Sequence, residues 1–540
     1  MKPRITPNTS FIAIAVLLLC AVENSARAAT ITVTNTNDSG AGSLRQALTD
    51  ALDGDTINFA VTGTIGLTSG ELLVNKSVTI SGPGAGSLTV DGNANSRVFH
   101  IGSDKTVSIF GLTITDGNAS GNYPDDRGAG IYNDHATLTL SNCTISGNSA
   151  AGIGGGTYND NAILTLNNCT IASNSAGFGS GIFNDGFAGS ATLQIHNSTI
   201  SSNAAINNGG GVYNDGSQGG NASLTISSST LSANSARSGG GILNDGFDSG
   251  SAVLTISNST LNGNSADNSG GGVFNYGFAG SAALQLSNST LSGNSAGSDG
   301  GAISNVIAAV QISNSILNAG AAGGNIFSDS GTITSLGYNL SSDDGGGFLT
   351  GSGDQINTNP MLGPLQDNGG PTFTHELLSG SPAIDAGDPN FTPPPFFDQR
   401  GPGFDRVVNG RIDSGSFEVQ GPAPTPITLS AHRRRVQGRH TVDLSWTGAT
   451  AADIDIYRDG GVIATVPNNG AYKDFIGVRG GNIRYIYKVC DAATQNCSNQ
   501  VTVRFGGASA GSVATEDWSA THAKERQTFR RQTSALLREY

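Results

Sequence analysis

The chain has 540 residues, 78 of them glycine, and a formal net charge of −14 at pH 7. This composition, with only 13% charged residues, is typical of an all-β secreted protein of two or three parts. Residues 30–399 hold 6 basic and 27 acidic residues, whereas residues 400–540 hold 18 basic and 13 acidic ones. A region so acidic repels DNA, RNA and anionic lipids, so we expect it to bind no nucleic acid.

The first 28 residues have the pattern of a secretory signal peptide. Lys2 and Arg4 form a charged end, residues 11–22 are apolar but too few to span a membrane, and Ala26-Arg27-Ala28 fits a cleavage site. We therefore predict an exported protein, extracellular or at the outer cell surface. The mature chain shows no transmembrane segment.

Residues 29–127 are predicted to hold an N-terminal cap and the first coils of the repeat structure. After a strand at 31–34, Ser43 and Gln46 form a capping box in which each side chain can satisfy a free amide. One face of the short helix that follows is apolar and can cover the open end of a core. That face consists of Leu44, Ala47, Leu48, Ala51 and Leu52.

Residues 128–358 form the repeat region, where one sequence unit recurs seven times. The clearest copy, from Gly239 to Ala266, reads GGGILNDGFDSGSAVLTISNSTLNGNSA, and equivalent positions lie 26, 29, 31, 30, 30 and 26 residues apart. Short runs with a period of two, together with a glycine triplet, indicate three strands joined by three corners. We predict a parallel β-helix solenoid whose strands pair with their counterparts one coil later, about 4.8 Å away.

An asparagine recurs before the Ser-Thr, Cys-Thr or Ser-Ile pair of each copy, with Ser228 in its place once. In-register stacking would let an inward amide bond to the next amide at about 1 kcal/mol per bond. We predict an inward-facing ladder of Asn142, Asn168, Asn197, Asn258, Asn288 and Asn314. Several of these match the glycosylation pattern, but an inward side chain could not carry a sugar.

An aspartate follows a second recurrent asparagine in five copies, until Tyr276 replaces it. These residues are Asp134, Asp160, Asp185, Asp215 and Asp245. Neighbouring charges at 4.8 Å repel by about 0.9 kcal/mol even at the dielectric constant of water. We expect the aspartates to lie at an exposed corner, where hydration of the carboxylates offsets this repulsion. Calcium bridging is an alternative, because carboxylate and amide oxygens suit it. Catalytic pairing is less favoured because the pattern repeats evenly. No cofactor is required.

Two resemblances rest on longer motifs. GDTINF at 54–59, SVTISGPG at 77–84 and the repeats themselves are similar to bacterial secreted right-handed β-helix proteins, including the polymorphic outer membrane protein repeat type. NPMLGPLQDNGGPTFTHELLSGSPAIDAGDP at 359–389 and DQRGPGFDRVVNGRIDSGSFEV at 398–419 resemble the choice-of-anchor Q domain. This second resemblance implies a C-terminal cap of the solenoid at 359–420, in which we expect Asp385 and Arg400 to pair.

A separate module is predicted at residues 427–505, after a Pro-rich linker at 421–426. Its short alternating strands resemble a fibronectin type III β-sandwich, which implies a core position for Trp446. Cys490 and Cys497 flank a turn between its last strands, so we predict a disulfide in an exported protein. Residues 506–540 read as a disordered tail.

Cys143 and Cys169 occupy equivalent places in adjacent copies of the repeat. In-register stacking would bring their backbones about 4.8 Å apart, within the range that a disulfide permits. A bonded pair and a stack of two thiols are both compatible with the sequence.

The functional prediction depends on side chains that the repeats lack. A polysaccharide lyase needs an arginine or lysine base, and a glycoside hydrolase needs two nearby carboxylates. Between residues 128 and 399 Arg237 is the only such base, in a variable corner. We predict a non-enzymatic, adhesin-like surface protein that contacts a cell-surface protein or an extracellular polysaccharide. The alternative is an extracellular polysaccharide lyase or glycoside hydrolase, which a groove gathering carboxylates from several coils would favour.

Overall fold

A computed structural model describes residues 28–420, 427–492 and 497–506. The predicted signal peptide up to residue 27, the linker at 421–426 and the tail from residue 507 lie outside the described residues. Within them the fold is almost entirely β, with one α-helix, Leu44–Asp50, and one 3-10 helix, Gly345–Gly347. The predicted all-β parallel solenoid is confirmed.

Three long parallel sheets and one short sheet form the walls of the solenoid. The first sheet has twelve strands, which are Thr30–Val33, Thr56–Phe59, Thr79–Ser81, Thr106–Phe110, Thr137–Ser141, Ile163–Asn167, Ser190–His196, Asn221–Ser227, Ser251–Ser257, Ser281–Ser287, Ala309–Ser313 and Thr332–Gly337. The second sheet has eleven, which are Gly63–Gly66, Leu88–Asp91, Thr113–Thr115, Thr144–Ser146, Thr170–Ala172, Thr199–Ser201, Thr230–Ser232, Thr260–Asn262, Thr290–Ser292, Ile316–Asn318 and Leu340–Ser341.

The third sheet carries the recurrent Asn-Asp pairs and has ten strands. They are Leu72–Val74, Phe99–Ile101, Ile131–Asp134, Thr157–Asp160, Ile182–Asp185, Val212–Asp215, Ile242–Asp245, Val273–Tyr276, Ile303–Val306 and Ile326–Asp329. The short sheet adds seven two-residue strands, namely Asn118–Ala119, Ser149–Ala150, Ser175–Ala176, Ala204–Ala205, Ser235–Ala236, Ser265–Ala266 and Ser295–Ala296. Each repeat thus contributes a fourth strand that the three-strand prediction did not include.

In-register pairing puts equivalent residues directly over one another. Leu193, Leu224, Leu254 and Leu284 occupy successive rungs of the first sheet, and each is at most 1% exposed. Burying one such side chain contributes about 1.5 to 3 kcal/mol, so the column of leucines and isoleucines supplies the driving force for stacking. The period of two seen in the sequence therefore marks the inward positions.

The N-terminal helix covers one end of this core. Ser43 is its N-cap and accepts the amide of Gln46 at 3.1 Å. The Gln46 side chain, however, donates to Asp50 rather than back to Ser43, so only half of the predicted capping box forms. The predicted apolar face packs on the core as expected, except that Leu52 is 60% exposed because it lies beyond the last turn.

The predicted asparagine ladder is wrong in its choice of residues. Asn142, Asn168, Asn197, Asn258, Asn288 and Asn314, with Ser228, all stand at the corner between the first and second sheets with φ between 48° and 53°. In the first three the side chain is exposed to solvent. The reason is conformational: asparagine tolerates the left-handed backbone that this corner requires.

Two other sets of asparagines form the inward ladders. On the third sheet, each Nδ2 donates to the next Oδ1 at 2.7 to 2.9 Å through Asn133, Asn159, Asn184, Asn214, Asn244, Asn275 and Asn305. After the second sheet, bonds of 2.8 to 3.0 Å link Asn148, Asn174, Asn203, Asn234, Asn264 and Asn294. All of these side chains are buried. They satisfy corner carbonyls that would otherwise be unpaired inside the core.

Cys143 and Cys169 are free thiols, both buried. They occupy the position that serine takes in later coils, where Ser198 accepts the backbone amide of Cys169 at 3.0 Å. The same contact recurs from Ser198 to the hydroxyl of Ser229. The two cysteines therefore stack between Leu112 of the preceding coil and the serines of the following coils.

Residues 359–420 lie along the flank of the solenoid, which corrects their assignment as a cap at its end. The buried Gln399 donates to the hydroxyl of Thr230 at 2.8 Å and accepts from that of Thr260 at 2.6 Å. Asn258 donates to the carbonyl of Phe397, and Asn314 accepts the amide of Asp388. We call residues 359–420 the flank segment. It covers the same corner that is exposed at Asn142, Asn168 and Asn197.

The far end of the core is covered by residues directly after the last strands. Leu349 is 5% exposed and, with the half-buried Phe348, packs against the same apolar core. This short segment follows the 3-10 helix. It takes the capping role that the sequence analysis gave to residues 359–420.

Two buried arginines make contacts within the flank segment. Arg400 pairs with Asp398 at 2.6 Å and lies between the rings of Phe404 and Phe417. It does not pair with Asp385, which corrects the expectation from the sequence. Arg406 is fully buried, 3.9 Å from Glu418, and burial raises the pKa of that carboxyl.

The C-terminal module has two antiparallel sheets around its own apolar core. One consists of Thr428–Val436, Arg439–Thr447 and Ala471–Arg479, and the other of Gly461–Pro467, Asp453–Arg458, Ile483–Asp491 and Val501–Phe505. Trp446 is 4% exposed in this core. The predicted disulfide between Cys490 and Cys497 is present. In the part of the chain that the structure describes, no helix has the length and apolar character needed to cross a membrane.

Candidate functional site

The outward side chains of the third sheet, from His100 to Tyr276, form what we call the acidic-aromatic face. In each strand the first and third residues point into the core, so the second and fourth point outward. The second position is mostly aromatic and the fourth is mostly aspartate. This alternation explains why Tyr-Asn-Asp recurs in the sequence.

Three tyrosines of this face each donate to an aspartate one coil further along. The hydroxyl of Tyr132 donates to Asp160 at 2.8 Å, that of Tyr158 to Asp185 at 2.6 Å and that of Tyr213 to Asp245 at 2.7 Å. Hydrogen bonds to a charged acceptor stabilise by about 1.5 to 3 kcal/mol, which offsets part of the repulsion between neighbouring carboxylates. Each of these three aspartates therefore has a structural hydrogen-bond partner.

The aspartates are less exposed than the sequence analysis expected. Asp160, Asp185 and Asp245 are at most 9% exposed, while Asp134 and Asp215 are partly exposed. Burial raises the pKa of Asp185 to about 6 and also raises the pKa of Asp215 and of Asp245. Water at an open corner therefore cannot stabilise the charges of the buried Asp160, Asp185 and Asp245.

The N-terminal end of the face breaks the regular pattern. Arg97 donates to Glu71 at 2.5 Å, and His100 Nδ1 lies 3.1 Å from the other oxygen of the same carboxylate. The imidazole ring of His100 stacks on Tyr132 with ring centroids 4.8 Å apart, and the Arg97 guanidinium lies 5.1 Å from the centroid of the same ring. Charged and aromatic groups from three successive coils therefore converge here.

Asp134, His135 and Asp160 are the one group of three metal-ligating side chains found among the described residues, with their ligand atoms within 4.8 Å of one another. Nδ1 of His135 lies 2.6 Å from Asp134, and this hydrogen bond raises the pKa of His135. Calcium takes six to eight oxygen ligands, whereas a site with an imidazole suits a transition metal. The trio therefore suits a transition metal better than calcium.

Arg127 is a functional candidate that the sequence analysis missed. It donates to the hydroxyl of Tyr158 at 2.9 Å, lies 3.9 Å from Asp185 and stands 4.4 Å from the ring centroid of Tyr123. Tyr123 is 62% exposed. A signal was available, because Arg127 is one of only six basic residues between positions 30 and 399 and directly precedes the repeats.

The C-terminal end of the face carries a group of aromatic rings, Phe247, Tyr276 and Phe278, which we call the aromatic tile. Their three centroid distances are 6.2, 6.2 and 6.5 Å, and the ring planes differ by only 12° to 16°. In a single column of parallel rings, the outer two would lie twice as far apart as neighbours. The three rings therefore form a cluster of offset, nearly parallel rings and not a single column.

The aromatic tile is partly open to solvent and lies next to one carboxylate. Phe278 is 49% exposed, and the other two rings are half-buried. Asp245 precedes the tile, and the pKa of Tyr276 is raised by burial and by this carboxylate. Phe187 occupies the same loop position as Phe247 two coils earlier and is 50% exposed. At about 4.8 Å per coil, these two rings are about 10 Å apart along the axis.

Two further histidines lie away from the acidic-aromatic face. His375, in the flank segment, contacts Asn262 and the carbonyl of Gly363. His196 contacts Ser227 on the first sheet. Comparisons with known proteins add no assignment: neither a protein-family model nor a curated protein matches this chain.

Proposed function

We propose that this protein binds glycans at the cell surface through its acidic-aromatic face. The observation that carries the proposal is the aromatic tile, where three nearly parallel rings lie together at the surface and one of them, Phe278, is 49% exposed. Flat apolar ring surfaces pack against the C–H faces of sugars. Because the solenoid carries many more acidic than basic residues, the preferred ligand is a neutral glycan.

Export and adhesion belong to the same proposal. The signal-like segment supports an extracellular or outer-surface location, and the resemblance to polymorphic outer membrane protein repeats supports a role in cell-envelope contact. We assign residues 359–420 to the choice-of-anchor Q type and the C-terminal module to the fibronectin type III type on their motifs. No cofactor is needed for this role.

The direct test is glycan binding by the full chain. Neutral probes such as laminarin, galactomannan and cello-oligosaccharides should retard the protein in affinity electrophoresis or give binding in calorimetry. Phe278→Ala should weaken that binding at least fivefold, because the exposed ring loses its sugar contact. Phe396→Ala is the matched control, since Phe396 is 67% exposed but lies on the flank segment. Wild-type protein that binds none of the neutral glycans would contradict the proposal.

A second candidate function is polysaccharide cleavage at the N-terminal end of the face. The specific observation in its favour is the convergence of Asp134, His135 and Asp160, with Arg127 earlier in the same coil as Asp134 and 3.9 Å from Asp185. A general acid, a base and a nearby guanidinium are the groups that such chemistry uses. Incubation with acidic and neutral polysaccharides, with and without added divalent metal, should release unsaturated or reducing ends if this candidate is correct.

Asp134→Asn separates cleavage from binding. If the protein is an enzyme, this variant should lose at least 100-fold in rate while still binding neutral glycans at the aromatic tile. If the wild-type protein releases no ends from any polysaccharide, the enzymatic candidate is rejected and the binding proposal stands.

A further inference from the structure

The three-stranded sheet of the C-terminal module has one outer face that is strongly basic. Val442, Leu444 and Trp446 point inward and are buried, so the alternate positions of the strands point outward. The outward positions include Arg434, Arg439, Lys473, Arg479 and Phe475, which we call the basic face. All five residues are exposed.

Strand register brings these residues together. Arg439 pairs with Arg479 across the strands, Thr441 pairs with Phe475, and Asp443 pairs with Lys473. The same Thr441 lies opposite Arg434 on the other side. Cations from all three strands therefore surround one exposed ring, that of Phe475, which is 58% exposed.

The charge of this face is not balanced locally. Asp443 is the one carboxylate among the outward positions of the three strands, and it lies 3.1 Å from Arg434 and 3.8 Å from Lys473. Arg439 uses one nitrogen to donate to the carbonyl of Gly477. Two further exposed arginines, Arg433 and Arg435, occupy the alternate positions of the first strand and belong to its other side, where Arg433 donates to the carbonyl of Arg504.

Such a cluster is not needed for the stability of the sheet. Like charges directly opposite each other, as at Arg439 and Arg479, destabilise a strand pair. Solubility does not require the cluster either, since the chain as a whole has a net charge of −14. A concentrated patch of positive charge on an otherwise acidic protein instead raises the local concentration of anions.

We propose that the basic face binds an anionic polysaccharide, which gives the protein a second contact independent of the acidic-aromatic face. Guanidinium groups form paired hydrogen bonds with carboxylate, sulfate or phosphate. The ring of Phe475 adds a flat apolar surface for the C–H face of a sugar. An acidic sugar chain supplies both features at once.

A polysaccharide fits the charge distribution better than a nucleic acid does. Duplex DNA carries one negative charge per about 1.7 Å of its axis, so a long duplex would bring dense charge toward an acidic protein. A sugar chain with one acidic group on each sugar brings much less charge to the same area of contact. The described part of the C-terminal module has ten lysine and arginine residues against six aspartates, an excess suited to such a chain.

The test uses the full chain with polygalacturonate, heparin, dextran and a short DNA duplex as probes in affinity electrophoresis and fluorescence anisotropy. The wild-type protein should bind polygalacturonate or heparin at this face and should not bind dextran there. The triple variant Arg434→Ser, Arg439→Ser, Arg479→Ser should bind the anionic probe at least tenfold more weakly. Polygalacturonate and heparin then distinguish carboxylate from sulfate recognition.

The matched control removes the same charge elsewhere, through Lys76→Ser, Arg237→Ser and Arg484→Ser, and should bind within twofold of wild type. Circular dichroism should show unchanged folding in both triple variants. Equal loss in the two variants, no binding of either anionic polysaccharide, or tighter binding of DNA than of both would overturn the proposal. The triple variant of the basic face should still bind neutral glycans. A failure of this proposal can therefore be distinguished from a failure of the proposed function.

Discussion

The three recurrent asparagines of each coil have different roles although their side chains are identical. Two sets donate from one coil to the next inside the core, and one set stands at the outer corner with a positive φ. The asparagines chosen for the ladder from the sequence belong to the outer set. Sequence repetition alone identifies equivalent positions, but it does not show which way a side chain points at a corner, because the strand alternation is interrupted there.

This difference predicts unequal costs for two asparagine substitutions. Asn203→Ala should destabilise the protein by about 2 to 4 kcal/mol, since it interrupts a buried ladder and leaves neighbouring amides unsatisfied. Asn197→Gly, at an exposed corner with φ of 48°, should change stability by less than about 0.5 kcal/mol, because glycine tolerates that backbone. Thermal unfolding followed by circular dichroism compares them. Equal destabilisation would contradict the assignment of the two roles.

The buried Asp185 should make stability depend on pH. Its pKa is about 6 in the folded protein and about 3.9 in an unfolded chain, so the folded state retains a proton that the unfolded state releases. Stability should therefore fall as the pH rises from 4 to 6. Asp185→Asn keeps an acceptor for Tyr158 and should be more stable than wild type by about 1 to 2 kcal/mol at pH 7.5, with no gain at pH 4.

The exposed Asp267→Asn serves as the control for that comparison. It should show no difference between the two pH values. If Asp185→Asn gives the same shift in melting temperature at pH 4 and pH 7.5, the buried carboxylate is not the source of the pH dependence.

At the scale of elements, the flank segment is the feature least accessible from sequence. Gln399 contacts Thr230 and Thr260, which are far from it in the chain, and no periodic pattern marks such a contact. The strands, by contrast, were predictable because each coil repeats the same alternation. The N-terminal helix was also predictable from Ser43, which accepts the amide of Gln46 as expected.

Removal of Gln399 should loosen the flank segment. Gln399→Leu loses five hydrogen-bond partners at the interface with the solenoid, and the unsatisfied groups should cost about 1 to 3 kcal/mol. Trypsin should then cleave after Arg406, which is fully buried in the docked segment, at least fivefold faster. The exposed Gln366→Leu should leave the cleavage rate unchanged, and equal rates for both variants would contradict this role of Gln399.

At the scale of the whole molecule, charge separates two binding surfaces. The solenoid is acidic and holds the aromatic tile, while the C-terminal module holds the basic face. Salt screens interactions between exposed charges over about 8 Å at physiological ionic strength but affects apolar ring contacts little. Raising sodium chloride from 50 to 500 mM should therefore weaken polygalacturonate binding at least tenfold while neutral-glycan binding changes by less than twofold. Calorimetry at both salt concentrations tests this expectation, and parallel losses would contradict it.

The sequence predicted the solenoid far better than it predicted the sites. Repetition determines the fold, because every coil must satisfy the same pairing, whereas a site depends on departures from repetition such as Arg127 and Tyr276. The Tyr132 to Asp160 hydrogen bond joins residues 28 positions apart, and only the coil length relates them. Local motifs therefore predicted which residue types lie on the acidic-aromatic face, but they did not predict which residues form hydrogen bonds with each other.

The return of the chain along the flank determines which coils would bear a pulling force. After the last coil the backbone reverses, and Gly415 and Ser416 are tied to Asn314 and Thr290, while Ser414 is tied to Tyr338 of the last coil. Tension applied at residue 420 is thus delivered to the side of several coils at once. The terminal coil would not be peeled off first, and a rod held in this way would resist detachment under flow.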